Sequence, residues 1–552
     1  MDKRTLLAMF LVIVVFFVLQ TYVFKPQPVP ADQDQAGQTD TLAIDTLATP
    51  AGQFATPGTV LPDSLFKPAG QSEIVTLSND NFTVQFSTLG ASITSVELKN
   101  FQWGDLLTPV DLVPLGKNLA GIRLLDQQAG LDLRNVNWQH GPADSGRVVF
   151  WLGDQANPLV TKTFSLDEKY GILMDVSVQS PDPVFGIEYD FSAGIADSEK
   201  IKPRSKDADY KLLLFAENSL SKTTLAKIKK ERPEGPLNAF KWAAMRTKYF
   251  TIAMSETRNP LIRNYYADAA KDTGNPSLIL DSRDRNPSQY WEQSFLIYAG
   301  PADYDIMKSY EKSRLEYVPE RGPSWLRWLS NAIAWLLKFL HSFIPNYGIV
   351  IIIFSILLKI ILHPLTHKSM DASLKMQRIQ PQVQEIQKQY KSDPKTMQME
   401  LSKLYKEAGA SPMSGCLPLL LQMPIFIALY NVLRYTIDMR NASFLGWLKD
   451  LSEPDPYWIL PILMAIFMIL QSLMMRPKKE ALAQMDEKQQ AMQQSTRMMT
   501  WLMPIMMFFI FKGLPSGLVL YYTVFNILSV AQQYYLQKRS KLQTEATPAK
   551  IS

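Results

Sequence analysis

Hydrophobic positions follow different rules in different parts of the chain. From about Gln71 to Pro319 the apolar runs are short and interleaved. Val84 and Phe86 alternate with Gln85 and Ser87, and Ile172, Met174, Val176 and Val178 with Leu173, Asp175 and Ser177. Period-two patterning broken by Gly, Asn, Asp and Pro turns predicts an antiparallel β-sandwich over residues 71–320. Beyond it the runs lengthen: Gly348 to Leu362, Leu417 to Tyr435, Tyr457 to Met475, Met498 to Leu514, and Gly517 to Tyr535. Each is near the roughly 17–25 residues that cross a bilayer. At the start, Met1-Asp2-Lys3-Arg4 precedes an apolar stretch from Leu6 to Leu19 that no small-x-small cleavage motif closes. An uncleaved anchor over residues 1–25 is therefore expected rather than a signal peptide, for six spans in all. Residues 26–70, rich in Pro, Gln, Thr, Ala and Asp, have too little apolar surface to order themselves and read as a tether.

The segment 324–343 is apolar but striped. Arg327, Asn331, Lys338 and His341 share one helical face with Ala334, opposite Trp325, Trp328, Leu329, Trp335, Leu336 and Phe339. Such a helix lies in the membrane interface plane rather than across it. Ser324 is its expected N-cap, and Pro345-Asn346-Tyr347-Gly348 separates it from a true span over 348–366. Residues 367–415 read as a helical hairpin. Met376, Ile379, Val383, Ile386 and Tyr390 stripe its first helix; Asp393 and Pro394 cap a second, which bears Leu401, Leu404 and Tyr405 and ends at Gly409. Spans three to six occupy 416–536, and a basic tail 537–552.

Charge placement sets the orientation. Lys and Arg crowd the ends at Lys3 and Arg4, the hairpin (Lys375, Arg378, Lys388 and Lys403 among them), the loop from Arg476 to Arg497, and the tail. The loop after the third span is mostly acidic, with Asp438, Asp450, Glu453 and Asp455. The positive-inside rule puts both termini in the cytoplasm and the β domain outside. The net charge of +5 is too small for this length to indicate nucleic-acid binding, one cysteine excludes an internal disulfide, and four histidines leave little for a metal site. His363 and His367 are four apart without an H-E-x-x-H pattern and read as interfacial. The hairpin's basic face suits anionic lipid, or a landing site for ribosome, targeting factor or nascent chain.

Lys359 stands alone within its span. A charge near the centre of a spanning helix costs about 2.5–3.5 kcal/mol, so it faces a wet cavity or a partner. It also lies about 6 Å from His363, close enough to snorkel to headgroups. The residues leave both readings open, although Ser355 on the same face, Gln422 in the third span, and Tyr521, Tyr522 and Asn526 in the sixth lean toward a hydrated groove. Methionines in the late spans, such as Met464, Met468 and Met503, suit varied apolar partners and ordinary packing alike.

Ser411-Pro412-Met413-Ser414-Gly415-Cys416-Leu417-Pro418, continuing to Tyr430, closely resembles the signature of YidC-type insertases. So do His363-Pro364-Leu365-Thr366 and Leu514-Pro515-Ser516-Gly517-Leu518-Val519-Leu520-Tyr521-Tyr522. The resemblance implies a multi-domain membrane protein of the Gram-negative inner membrane. Its parts would be a periplasmic β-supersandwich, a six-span helical bundle and a cytoplasmic helical hairpin. It implies insertion of nascent membrane proteins, alone or with the Sec translocon, through a hydrophilic groove in the inner leaflet. There Lys359, where many bacterial members carry arginine, attracts the client's acidic tail; a lysine keeps the point charge without the planar fork. By the same resemblance Gln422 and Tyr522 line the groove, while Met423, Pro424, Phe426, Phe508 and Phe509 form the apolar slide for the departing client.

The energetics need no cofactor or nucleotide. Twenty apolar residues gain roughly 6–12 kcal/mol on entering lipid, which exceeds the cost of about 2.5–3.5 kcal/mol for each carboxylate carried across. No G-x-x-x-x-G-K-[ST] phosphate loop is present. Rival readings are an ion-coupled solute transporter, which would need paired acidic residues in its spans, and a membrane-anchored sugar-modifying enzyme, for which residues 71–319 offer only His140.

Overall fold

The computed structural model describes residues 72–103, 107–126, 130–144, 146–200, 203–258, 260–409, 417–474 and 501–546. The expected anchor over 1–25, the tether over 26–70, Ser411 to Cys416, the basic loop from Arg476 to Arg497 and the end of the tail lie outside the described residues.

The first region is all antiparallel. Nineteen strands make three sheets of four, nine and six strands. At the centre of the largest, Ser288–Pro301 pairs with Gly171–Val184 on one side and Phe250–Arg258 on the other. The alternation holds: Ile172, Met174, Val176 and Val178 are fully buried, whereas Leu173 is 40% exposed. Side chains from all three sheets join one hydrophobic core, which is what makes the region a sandwich. Within it Lys162 is fully buried. Its ammonium donates to the carbonyls of Ala91 and Ala120 at 2.6 Å each and Gly90 at 3.4 Å, with the Trp138 and Phe164 rings 5.8 and 5.4 Å away.

Among the described residues seven helices follow: α1 Arg327–His341, α2 Tyr347–Gln389, α3 Pro394–Glu407, α4 Leu417–Tyr435, α5 Ile459–Met474, α6 Trp501–Phe511 and α7 Ser516–Ala546. The Asn346 side chain caps α2 by accepting from the Ile349 N–H. Gly348 is required where Phe444 packs, since an added Cβ would sit 2.0 Å from its ring. Tyr347–Ser369 is the one described segment long and apolar enough to cross a membrane; its 23 residues rise about 35 Å. α2 does not stop there. It runs 43 residues, through Pro364 and Pro381, so the span and the first arm of the hairpin form one continuous helix. The hairpin turns only at Tyr390–Asp393. Asp393 then caps α3, with Pro394 in the first turn, and Gly409 at φ +57° follows it.

Two expectations for α1 change. Ser324 makes no capping bond and opens a 3₁₀ turn, Ser324–Leu326, ahead of the helix. The polar stripe faces protein rather than water: Lys338 pairs with Asp303 at 3.0 Å, Asp305 at 2.7 Å and Asp438 at 3.6 Å. Ser330, Ile333, Ala334 and Leu337 are buried beside it, while Trp328 and Trp335 stay 69% and 66% exposed. A helix that satisfies its cation on protein is free to present its aromatic face outward.

Similar pairs tie the sandwich to the bundle. Asp209 accepts from Arg434 and from the Tyr435 hydroxyl, both at 2.9 Å, at the end of α4. Lys248 bonds Glu453 at 2.6 Å, the Tyr249 hydroxyl bonds Ser452 at 2.6 Å, and Arg440 pairs with Glu199. Glu320, on the strand-to-helix connection, receives Lys211 at 2.7 Å, Lys222 at 3.0 Å and Arg246 at 3.4 Å. Burial alone pushes its carboxyl up, but these three cations hold it well below the usual carboxylate range.

Candidate functional site

Inside the bundle α7 packs against α5 and α2, and between α2 and α7 a lysine meets a serine. Lys359 does not reach along its helix toward His363. It turns inward and is only 7% exposed. Its ammonium donates to the Ser529 hydroxyl at 2.7 Å and lies 4.4 Å from the Phe525 ring centre. Ser529 in turn donates to the Phe525 carbonyl of its own helix at 2.8 Å. Among the described residues Lys359 has no ion-pair partner. Among the described residues one hydroxyl and one aromatic face are what compensates this buried positive charge.

Around it α7 presents Tyr522, Asn526, Ser529 and Gln533, spaced four, three and four residues apart. That spacing sets them on one face of a helix. Two of them are unsatisfied: the Asn526 Nδ2 and the Gln533 Oε1 are buried without a hydrogen-bond partner among the described residues. Buried polar atoms in this state are rare in native proteins and mark places where water or a ligand completes the bonding. Ser529 and Gln533 were not among the residues singled out from sequence, although their spacing from Tyr522 and Asn526 carried the signal.

The other expected residues divide. The Gln422 amide donates to the Tyr521 hydroxyl at 2.9 Å and the Tyr522 hydroxyl at 3.4 Å, bringing α4 and α7 together. Tyr521 stacks toward Phe354 of α2 and Phe525, so the amide cluster and Lys359 share one aromatic seam. Ser355 is fully buried and donates to the Ile351 carbonyl of its own helix at 2.6 Å, leaving no free proton for a visitor. Phe426 is packed between Phe511 and Tyr522, at 6.1 and 5.7 Å, rather than lying open. Met423 and Pro424 are half-buried, and of the Phe508–Phe509 pair it is Phe509 that stands out, 59% exposed. On the hairpin, Lys375 is exposed and pairs with Asp371 at 3.4 Å; Lys388 and Lys403 are exposed, and Arg378 lies within α2.

A buried cation beside unsatisfied amides, without titrating carboxylates or a nucleophile–base pair, is equipped to attract and hydrate polar chain rather than to make or break bonds. Comparison with known proteins agrees. A family described as 60Kd inner membrane protein matches residues 339–544, and one described as YidC periplasmic domain matches residues 74–336. A membrane protein insertase YidC of Pelodictyon phaeoclathratiforme is 30% identical, covering 98% of this chain and 95% of the relative. The chain belongs to the YidC membrane protein insertase family. Another YidC insertase, from Syntrophus aciditrophicus, is 30% identical over 98% of this chain and the whole of the relative. A solved structure titled as an active YidC insertase with its first transmembrane domain resolved aligns with 85% of this chain and 94% of its own, at 19% identity and TM-score 0.36. Membership sets aside the transporter and sugar-modifying readings. It also makes the antiparallel sandwich the periplasmic domain of an inner-membrane protein.

Proposed function

We propose that this chain inserts transmembrane segments of other proteins into the inner membrane, and helps them fold there, through a hydrated groove centred on Lys359. The observation that carries the reading is a buried ammonium compensated only by Ser529 and the Phe525 ring. An ion pair within the protein would quench that charge; left open, it attracts the acidic end of an incoming chain and eases the first polar residues past the headgroups. Tyr522, Asn526, Ser529, Gln533 and Gln422 hydrate the path, and Phe508, Phe509, Met423, Pro424 and Phe426 guide the apolar segment out. Six spans, cytoplasmic termini and a cytoplasmic hairpin fit this scheme. The sandwich grips the 436–455 connection at one end of α4, while α2 carries the basic hairpin away from that end. The hairpin, with Lys375, Arg378, Lys388 and Lys403, then receives a ribosome or targeting factor, and the bundle works alone or beside the Sec translocon.

Proteoliposomes holding only this protein test the reading. Given a short single-span client with an acidic tail, they are expected to yield a membrane-protected client fragment well above that of protein-free liposomes. Equal protection in both would overturn it.

A further inference from the structure

A second site lies where the sandwich meets α1. A cavity of about 370 Å³ opens there, lined by Tyr304, Glu316, Tyr317, Arg321, Arg327 and their neighbours. That is within the ~300–1,000 Å³ typical of small-ligand sites. Arg321 is 6% exposed, and its guanidinium has no hydrogen bond or ion pair among the described residues; its NH1 is buried and unsatisfied. The nearby Asp303, Asp305 and Asp438 make their ion pairs with Lys338 and act on Arg321 only through their fields, without contact. Arg327 also lacks a carboxylate partner among the described residues. Aromatic rings hold both guanidiniums in place, Arg321 over Tyr304 at 5.4 Å and Arg327 over Tyr317 at 5.0 Å. Stacked in this way, a guanidinium keeps its N–H edges for a tetrahedral oxyanion. Glu316 adds one negative charge to the lining, 4.0 Å from Arg314.

The cavity's surroundings say where its ligand comes from. Ser324 and Arg327 line it, and the adjacent Trp325 and Trp328 are 62% and 69% exposed. Tryptophans so displayed on an amphipathic helix settle at headgroup depth. Two cations with no carboxylate in contact, one carboxylate held only loosely by Arg314 at 4.0 Å, and a neighbouring exposed aromatic surface match a zwitterionic headgroup.

We propose that this cavity binds the phosphoethanolamine headgroup of a phospholipid, with Arg321 and Arg327 on the phosphate and Glu316 on the ammonium. Bound there, the lipid would seat α1, and with it the sandwich, at a fixed depth. The inference rests on the interfacial placement of α1 but not on the groove at Lys359, so loss of lipid with client insertion intact would sink this site alone.

Native mass spectrometry of the full chain in detergent tests it, with phosphatidylethanolamine, phosphatidylglycerol and phosphatidylcholine supplied in turn. The expected result is one retained phosphatidylethanolamine, held about tenfold better than the other two. Arg321→Gln and, separately, Arg327→Gln should each lower retention about tenfold while the far-UV spectrum stays that of the parent. Glu316→Gln should keep the phosphatidylethanolamine but bind phosphatidylcholine equally well. Water-soluble glycerophosphoethanolamine at equal concentration should not displace the lipid. Equal retention of all three lipids by the parent, unchanged binding in both arginine variants, or displacement by the soluble headgroup would each overturn the proposal.

Discussion

The sandwich and the bundle each bury a lysine, and they treat it in opposite ways. Lys162 is wrapped by three backbone carbonyls and two aromatic rings. At the seam between the regions the pattern is the same, with Lys338, Arg434, Lys248 and Arg440 each meeting a carboxylate. Lys359 meets one hydroxyl and one ring, with bare amide atoms nearby. A charge whose field is absorbed by its own protein fixes structure. A charge left open costs stability and is available to something else. The periplasmic region is therefore built to hold still, and the groove proposed for the bundle interior draws on the opposite treatment.

The largest expected effect lies at the seam. Asp209 is 2% exposed and holds both Arg434 and Tyr435. Asp209→Ala strands a buried guanidinium, for which a loss of about 3–5 kcal/mol is expected. Thermal unfolding in detergent would show it as a clear drop in the midpoint; an unchanged midpoint would mean that the seam is looser than its geometry. Next comes Lys162→Met, which keeps the stem but abandons three carbonyls and should cost about 2–4 kcal/mol. The same substitution at the other lysine sharpens the contrast. Lys359→Met removes an under-compensated charge and is expected to leave stability unchanged or raise it by about 1 kcal/mol. Equal destabilisation by the two methionines would erase the distinction between the regions.

Much of this was legible from local pattern. The buried run of Ile172, Met174, Val176 and Val178, the Asp393–Pro394 helix start and the isolated Lys359 all depend on spacing within a few residues, which a sequence displays directly. What was hidden depends on distant partners. The direction of Lys359 was undecidable without Ser529, 170 residues away. The partners of the α1 stripe were out of view because Asp303, Asp305 and Asp438 reach it from separate elements. That Ser355 is buried and bonds the Ile351 carbonyl one turn back was equally out of view. Pro364 and Pro381 fall inside α2 without ending it. Proline's usual cost of ~3 kcal/mol in a helix interior is a local tendency, and here the helix runs on past both.

The central claim is that Lys359 acts on a client through its open charge. The most direct measurement compares two single-span clients, differing only in an acidic or a neutral tail, inserted by proteoliposomes of the parent and of Lys359→Ala. The account predicts that the parent favours the acidic tail several-fold and that the alanine variant treats the two alike. If the preference survives unchanged in Lys359→Ala, the charge is not what recognises the client.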